Sequence, residues 1–568
     1  MFTKLCTLIL GCVILYGCSN LNDNQESKKN TRKIAVGKAE YGGHFRFMTP
    51  EKIQSLFPPT LVDIYTSRLS SLIFEGLFHF GENSAELKSC IAEGYEVSKD
   101  LKVYTIKIKE GIYFHDDDCF PDGIGREVVA TDIKYLFDFI CSSDESNNYS
   151  DLFKNKIVGA NSYYLSGNKP GENAGVEGVK VVDNYTVSIE LNQPEVAFEK
   201  YLAHSGLFLF PKESIEKYGS KVGLHPVGTG PFILSKMTSK HVLVRRNENY
   251  WQVDEMGNRL PYLDSISVMY SNDKKEELIS FRDRKIDLVT KIPADHIENV
   301  LLSLKDAQLG KNVKHKINSR NSLRVEYCGF NQSSSLFKDI RVRKAFNLVI
   351  DKQTIIETLL NGEGWEAKHG FVPHMNQYPE KSVKGFDFNV DEAKRLMTEA
   401  GYENGVGFPE ITLVVSAAEN SSNSILAKAI VDNLQNNLNI SVKIIYTTLN
   451  ERDKMIEKGR AIFWRAGWIA DIPDPMDFLG LFYSKKNKFG YSNPEFDALF
   501  DASRTEKNQT KRMEMLAKCD QMIIDDAVVI PLITNDFVSV INARVKNFEV
   551  NEMEGINFSR IFIKEFKR

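Results

Sequence analysis

The run Phe463-Trp464-Arg465-Ala466-Gly467-Trp468-Ile469-Ala470-Asp471 sets one cation and one carboxylate among residues that read as buried. A lone ionised group taken out of water costs several kcal/mol, and breaking a buried pair costs ~3–5 kcal/mol, so Arg465 and Asp471 both need partners. Either they satisfy each other or a group from outside does. The two stand six positions apart, which spans at most roughly 20 Å if the chain is extended and less if it bends at Gly467. A zwitterionic oligomer such as a short peptide would fit between them, its ammonium on Asp471 and its carboxylate on Arg465. Extended peptide backbone also needs a strand edge beside it. Ala466-Gly467-Trp468 is the candidate edge, because Gly467 lets another backbone approach closely. Alternate strand residues face opposite sides, so Phe463, Trp464 and Trp468 read as core more readily than as a stacking platform, with Trp468 kept as a ligand candidate. Pro473-Asp474-Pro475 reads as a rigid turn with Asp474 structural.

Other constellations are weaker. Gly228-Thr229-Gly230 is followed by Pro231 and a strand-like Phe232-Ile233-Leu234, where a phosphate loop would need a helix N-terminus, so it reads as a tight turn. His115-Asp116-Asp117-Asp118-Cys119 with Asp122 offers hard oxygen ligands but lacks the spacing and terminal glutamate of an EF-hand, and no metal is expected there. No GxSxG, HExxH or CxxC occurs, so neither a catalytic role nor a cofactor is expected. The 568 residues carry a formal charge of −4 with no basic block, which argues against nucleic acid.

The elements that must hold these residues alternate between strand and helix from about residue 41 onward, which predicts α/β architecture in two or three lobes at this length and 42% apolar content. Val103 to Lys109 alternates as a half-buried strand. Ala130 to Ile140 reads as a helix entered at Thr131 or Asp132, with Ile133, Leu136, Phe137 and Ile140 on one face. Asp339 caps another helix, and a third covers Asn389 to Ala400 with Gly401 as its stop. At the N-terminus, the apolar stretch Leu5 to Gly17 would span only ~20 Å as a helix, short of the ~30 Å hydrocarbon core. It reads as a signal peptide over 1–17. Leu15-Tyr16-Gly17-Cys18 resembles a bacterial lipobox, making Cys18 the lipidated residue of a disordered tether over 18–35. Five further cysteines remain, Cys90, Cys119, Cys141, Cys328 and Cys519; an odd number leaves at least one unpaired, and Cys119 with Cys141 could form a local disulfide.

Several segments in order resemble the peptide/nickel class of bacterial extracellular solute-binding proteins, family 5, which feed ABC importers. They are Ile73-Phe74-Glu75-Gly76-Leu77, Gly111-Ile112-Tyr113-Phe114-His115-Asp116, Pro226-Val227-Gly228-Thr229-Gly230-Pro231-Phe232, Asp339-Ile340-Arg341-Val342-Arg343-Lys344-Ala345, the opening run, and Tyr491-Ser492-Asn493-Pro494-Glu495-Phe496-Asp497. The resemblance implies a two-lobed periplasmic-binding-protein-like fold of the large type II class, with the ligand cleft between the lobes. Lobe I would combine 36–73, 223–310 and 531–568, an extra subdomain would cover 74–222, and lobe II would cover 311–530, with crossings near 310 and 530 as the hinge. It also implies Asp471 for a ligand ammonium and Arg465 for a ligand carboxylate, with Asp63 and Ile64 facing them from lobe I. Asn420, Ser421, Ser422 and Asn423 stand where some relatives place a histidine near the ligand's far end, which leaves ligand length open. The implied protein is a monomeric, non-catalytic receptor, lipid-anchored on the extracytoplasmic face of a membrane, that delivers short peptides to an ABC permease. Alternatives are a binder of a nickel chelate, haem or a modified sugar, an envelope peptide sensor, or a hydrolase.

Overall fold

The computed structural model describes residues 33–565 apart from 51, 83, 291–314, 361–363, 418–420 and 486. The signal peptide, Cys18, nearly all of the tether, the chain near 310 and Asn420 therefore lie outside the described residues.

One eleven-stranded sheet runs through the molecule. Its strands lie in the order Val442–Thr447, Ile411–Ser416, Phe463–Ile469, His315–Phe330, Val529–Asn542, Leu288–Thr290, His44–Thr49, Ser265–Tyr270, His241–Arg246 and Phe232–Thr238, with Trp365–Glu366 added beside Val529–Asn542. His315–Phe330 and Val529–Asn542 are long, 16 and 14 residues, and antiparallel. One end of Val529–Asn542 pairs with Leu288–Thr290, while the far end of His315–Phe330 pairs with Phe463–Ile469. Between those two ends the register breaks, at Asn321/Val325 and again at Glu326/Tyr327. Such irregularities bend a strand and increase its twist. The two long strands are thus the described links between the halves of the sheet.

Each half has its own core. Around Phe463–Ile469, alternation sends Phe463 to a cluster with Phe330, Phe346 and Leu413, and sends Trp464 and Ala466 to one with Tyr327, Phe489 and Leu516. On the other side, a four-stranded antiparallel sheet is ordered Ala92–Val97, Val103–Ile108, Thr186–Glu190, Val179–Asp183. Tyr104, Ile106 and Ile108 alternate inward as the sequence predicts. The helix Ala130–Ile140 buries Ile133, Leu136, Phe137 and Ile140. It begins one residue earlier than expected, because Asp132 acts from inside the first turn and accepts the Val129 N–H at 2.9 Å. The Asp339 cap forms as read, and Asn389, expected inside its helix, caps it instead, each accepting a backbone N–H of its helix. At Gly228 a Cβ would stand 2.2 Å from the Ile73 carbonyl oxygen, so this glycine serves a close approach of two backbones. Cys119 and Cys141 carry free thiols, which corrects the local disulfide. Cys141 is wholly buried at the end of the Ala130–Ile140 helix, whereas Cys119 lies half-buried in the loop after His115.

Asp474 ties the chain around Lys200 to the helix Gln509–Asp525. Its side chain is fully buried, caps the helix Pro475–Leu479, and meets Arg512 at 2.9 and 2.7 Å and Lys200 at 2.8 Å. Burial pushes its pKa up, but the two cations outweigh burial and hold it well below the usual carboxylate range. Nearby the Val196 N–H donates to Arg504 O at 2.8 Å and Glu195 faces Arg504 at 3.4 Å. Asp474→Asn should lower the unfolding free energy by about 3–5 kcal/mol, since it strands two cations. Urea titration checks this, and a loss below about 1 kcal/mol would show that the cluster is merely solvated. Because the folded pKa is depressed, this contribution is complete above the unfolded value near ~4 and is lost only as pH falls below it toward the folded pKa.

Candidate functional site

The strand Phe463–Ile469 is antiparallel to Arg324–Phe330 on one side, while its other edge pairs with Val414 and Val415 only at Trp464 and Arg465. Opposite Gly467 stands Glu326, whose carboxylate lies over the glycine; a Cβ there would come within 2.9 Å of Glu326 Oε2. That carboxylate takes Arg465 on one oxygen and Arg324, at 2.6 Å, on the other. Arg465 is buried. The reading of Arg465 as a guanidinium waiting for a ligand carboxylate is therefore corrected: its partner is internal, and it is not among the residues that wall the cavity described below.

Trp468 is corrected as well. Its ring packs on the core with Trp464 and Ala466, on the face away from Glu326, and its Nε1–H donates to Asp477 Oδ2 at 2.8 Å. Asp477 accepts the Asp471 N–H with the same oxygen at 3.0 Å. One half-buried carboxylate thus pins the end of the strand and the start of the following turn. Ala466 is buried in the same core, so its backbone alone can face a guest, and Gly467 is exposed.

At the end of this strand a cavity of about 550 Å³ opens. That lies in the range of about 300–1,000 Å³ typical of small-molecule sites. Ile469, Ala470 and Asp471 form one wall; Asp63 and Ile64, at the start of the helix Ile64–Ser70, form another. Phe74, Phe78, Phe208 and Phe558 supply apolar surface. Asp471, Asp63 and Ile64 thus line one cavity. The cavity reaches solvent at Val62, which is 78% exposed, and at Ile469, which is 41% exposed.

Asp63 is partly spent, accepting from Thr66 N at 2.8 Å and Thr66 Oγ1 at 2.7 Å. Asp471 is not. Its side chain is a third exposed, and the nearest cationic candidate among the described residues is His204, with Nε2 3.9 Å from Oδ1. His204 Nδ1 accepts the Gly206 N–H at 3.0 Å, which places the neutral ring's proton on Nε2, toward Asp471. Burial lowers the His204 pKa, against the pull of Asp471, so the ring is neutral near pH 7. Tyr149 packs edge-on against it at 4.7 Å between centroids and donates to the Leu61 carbonyl. Burial raises the Asp471 pKa, partly opposed by His204, and burial beside Asp471 raises Asp477 further. The arrangement is a desolvated carboxylate facing an open volume, with a neutral donor too distant to satisfy it.

Comparison with known proteins decides the family. The model of bacterial extracellular solute-binding proteins, family 5, matches residues 86–490. The chain belongs to that family. Heme-binding protein A of Haemophilus influenzae is 25% identical over 557 residues, covering 95% of each chain. The oligopeptide-binding protein OppA of Bacillus subtilis is 26% identical over 504 residues, covering 84% of this chain and 85% of its own. The crystal structure of a periplasmic oligopeptide-binding protein, OppAIV, from Borrelia burgdorferi superposes with a TM-score of 0.75 at 25% identity, over 92% of this chain and 99% of that one. The α/β two-lobed fold inferred from sequence is the fold of these family 5 relatives.

Tyr149 and His204 were missed by sequence reasoning. They come from the subdomain, more than 250 positions from Asp471 along the chain, and no local pattern marks them. Glu326 was missed for the same reason, since only strand register sets it opposite Gly467. Glu326→Gln should destabilise the fold by about 3–5 kcal/mol, because it leaves the buried Arg465 without its counter-charge. Chemical denaturation checks this; an unchanged midpoint would mean that Arg465 finds another acceptor.

Proposed function

We propose that this protein is the substrate-binding lipoprotein of an ABC importer, capturing short peptides in the cavity at Asp471 and delivering them to a membrane permease. The observation that carries the reading is the Asp471 carboxylate itself, one-third exposed beside a 550 Å³ cavity with a neutral imidazole 3.9 Å away as its nearest charge-capable partner among the described residues. A ligand ammonium would supply the missing counter-charge in a place where charge-assisted bonds are strong. Past Arg465, the strand edge toward Ile411–Ser416 has no pairing partner among the described residues, which suits an extended backbone added beside Ala466-Gly467-Trp468. Asp63 and Ile64 face that guest from the opposite wall. The relatives named as oligopeptide-binding support the peptide class over a metal chelate.

Closure of the lobes would exclude water, and the permease would distinguish closed from open forms. Cys18 would carry the acyl anchor and hold the monomer at the extracytoplasmic face, with 19–35 as tether. The protein itself performs no chemistry in this scheme.

Asp471→Asn keeps shape and hydrogen-bonding capacity but removes the charge. It should weaken a bound peptide by about 2–5 kcal/mol while leaving the melting temperature of the empty protein unchanged or raised. Isothermal titration with a peptide recovered from the purified protein measures this, and equal affinity in both forms would dismiss the site. Since the free carboxylate's pKa is raised, affinity should begin to decline at a higher pH than an exposed aspartate would dictate.

A further inference from the structure

Four carboxylates wall the cavity, Asp63, Glu75, Glu82 and Asp471, against one arginine, Arg68, and no lysine among the described residues. Glu82 is offset by Arg560 at 3.1 Å. The other three have no cation on them among the described residues. Asp63 is held by Thr66, and Asp471 faces the neutral His204. Glu75 is buried and accepts from Tyr250 at 2.7 Å, Trp251 and Thr229 at 2.9 Å, and Gln252 at 3.0 Å, all neutral donors. Arg68 is already committed, its Nη2 lying 2.9 Å from Glu554 Oε2 and its Nε donating to Glu554 O at 2.8 Å, with 5% of its side chain exposed. The second wall histidine, His79, is held neutral, its pKa lowered to about 4 chiefly by burial and then by Lys109. Beyond the cavity, Arg465 and Arg324 are both spent on Glu326.

A zwitterion lying wholly inside these walls would bring its own carboxylate, desolvated, among other carboxyl groups with no free cation among the described residues to receive it. We infer, resting on the peptide reading above, that the cavity takes only the amino end of its ligand and leaves the carboxyl end outside, so that it selects net-positive or carboxyl-blocked oligomers as readily as free acids. The exposed apolar rim at Val62 and Ile469 suits a chain passing out of the cavity between the lobes. Recognition is then one-ended: Asp471 reads the ammonium, the phenylalanine-lined body accepts the first side chains, and the remaining length is unconstrained.

The test uses the full protein and three tetrapeptide pools of identical composition, as free acids, as C-terminal amides and as N-acetyl acids, with bound fractions read by native mass spectrometry and affinities by competition titration. The amide pool should bind within about three-fold of the acid pool or tighter, while N-acetylation should cost about thirty-fold or more. Loss of about ten-fold or more on amidation, with N-acetylation still damaging, would overturn the one-ended inference and leave the peptide receptor standing. Acetylated peptides binding as well as free ones would overturn the Asp471 site and the inference together. Retention of none of the pools would remove the peptide reading and, with it, this deduction.

Discussion

Asp471 and Asp474 stand three residues apart in the same turn, and the fold treats them in opposite ways. Asp474 lies in the interior and receives two cations from two parts of the chain, Lys200 and Arg512. Asp471 is set at the edge of the cavity with a neutral histidine at 3.9 Å and open space beyond. The first carboxylate contributes to stability through its partners, while the second is kept at a cost that burial imposes and that, among the described residues, only His204 opposes in part. A structure tolerates such a group only where the rest of the fold over-determines its position. Here Asp477 does so, by holding the Trp468 indole and the Asp471 N–H with one oxygen.

That constraint accounts for how the surrounding elements are arranged. The strand ending at Ile469 must be stiff, and it is, with antiparallel pairing along Arg324–Phe330 and aromatic side chains buried on both faces. Both walls hang from one sheet whose halves are joined, among the described residues, by two long strands with broken register between Asn321 and Tyr327. A bulged pair of strands bends more readily than a regular ladder. The Asp474 cluster ties the segment around Lys200 to the helix that carries Arg512, close behind the turn that holds Asp471.

Local patterns in the sequence carried the elements well. Alternation located Val103–Ile108, and the cap at Asp339 was legible because capping needs only neighbours in sequence. The charged pair in the opening run was legible as two unmatched charges, but not their partners. Arg465 reads as a ligand group until register places Glu326 across from Gly467, a long-range fact that no window of sequence contains. Trp468 reads as core first and ligand candidate second, and its packing on that core, with the indole N–H donated to Asp477, leaves only the first. Asp63 and Ile64 were placed on the cavity by family resemblance, and Tyr149 and His204 could be placed by neither route. The cysteines Cys119 and Cys141 are close enough in sequence to suggest a bridge, yet one thiol is enclosed in core and the other faces a loop.

The free edge of Phe463–Ile469 and the charge at its end together favour recognition of main chain over side chains. Pairing with Val414 and Val415 stops at Arg465, so the stretch Ala466 to Ile469 has no strand against it on that side among the described residues. An extended guest laid there would repeat every ~3.3 Å per residue, the spacing of the strand itself, whatever its side chains. Its terminal amine would then meet Asp471 in every register that keeps the first residue in place. Gly467 keeps the opposing face clear, because any side chain there would strike Glu326 and disturb the carboxylate that holds two arginines. Glycine at this position therefore protects the internal ion cluster, and with Arg465 and Trp468 both partnered internally, Asp471 is the charged group of the run that has no ionised partner among the described residues.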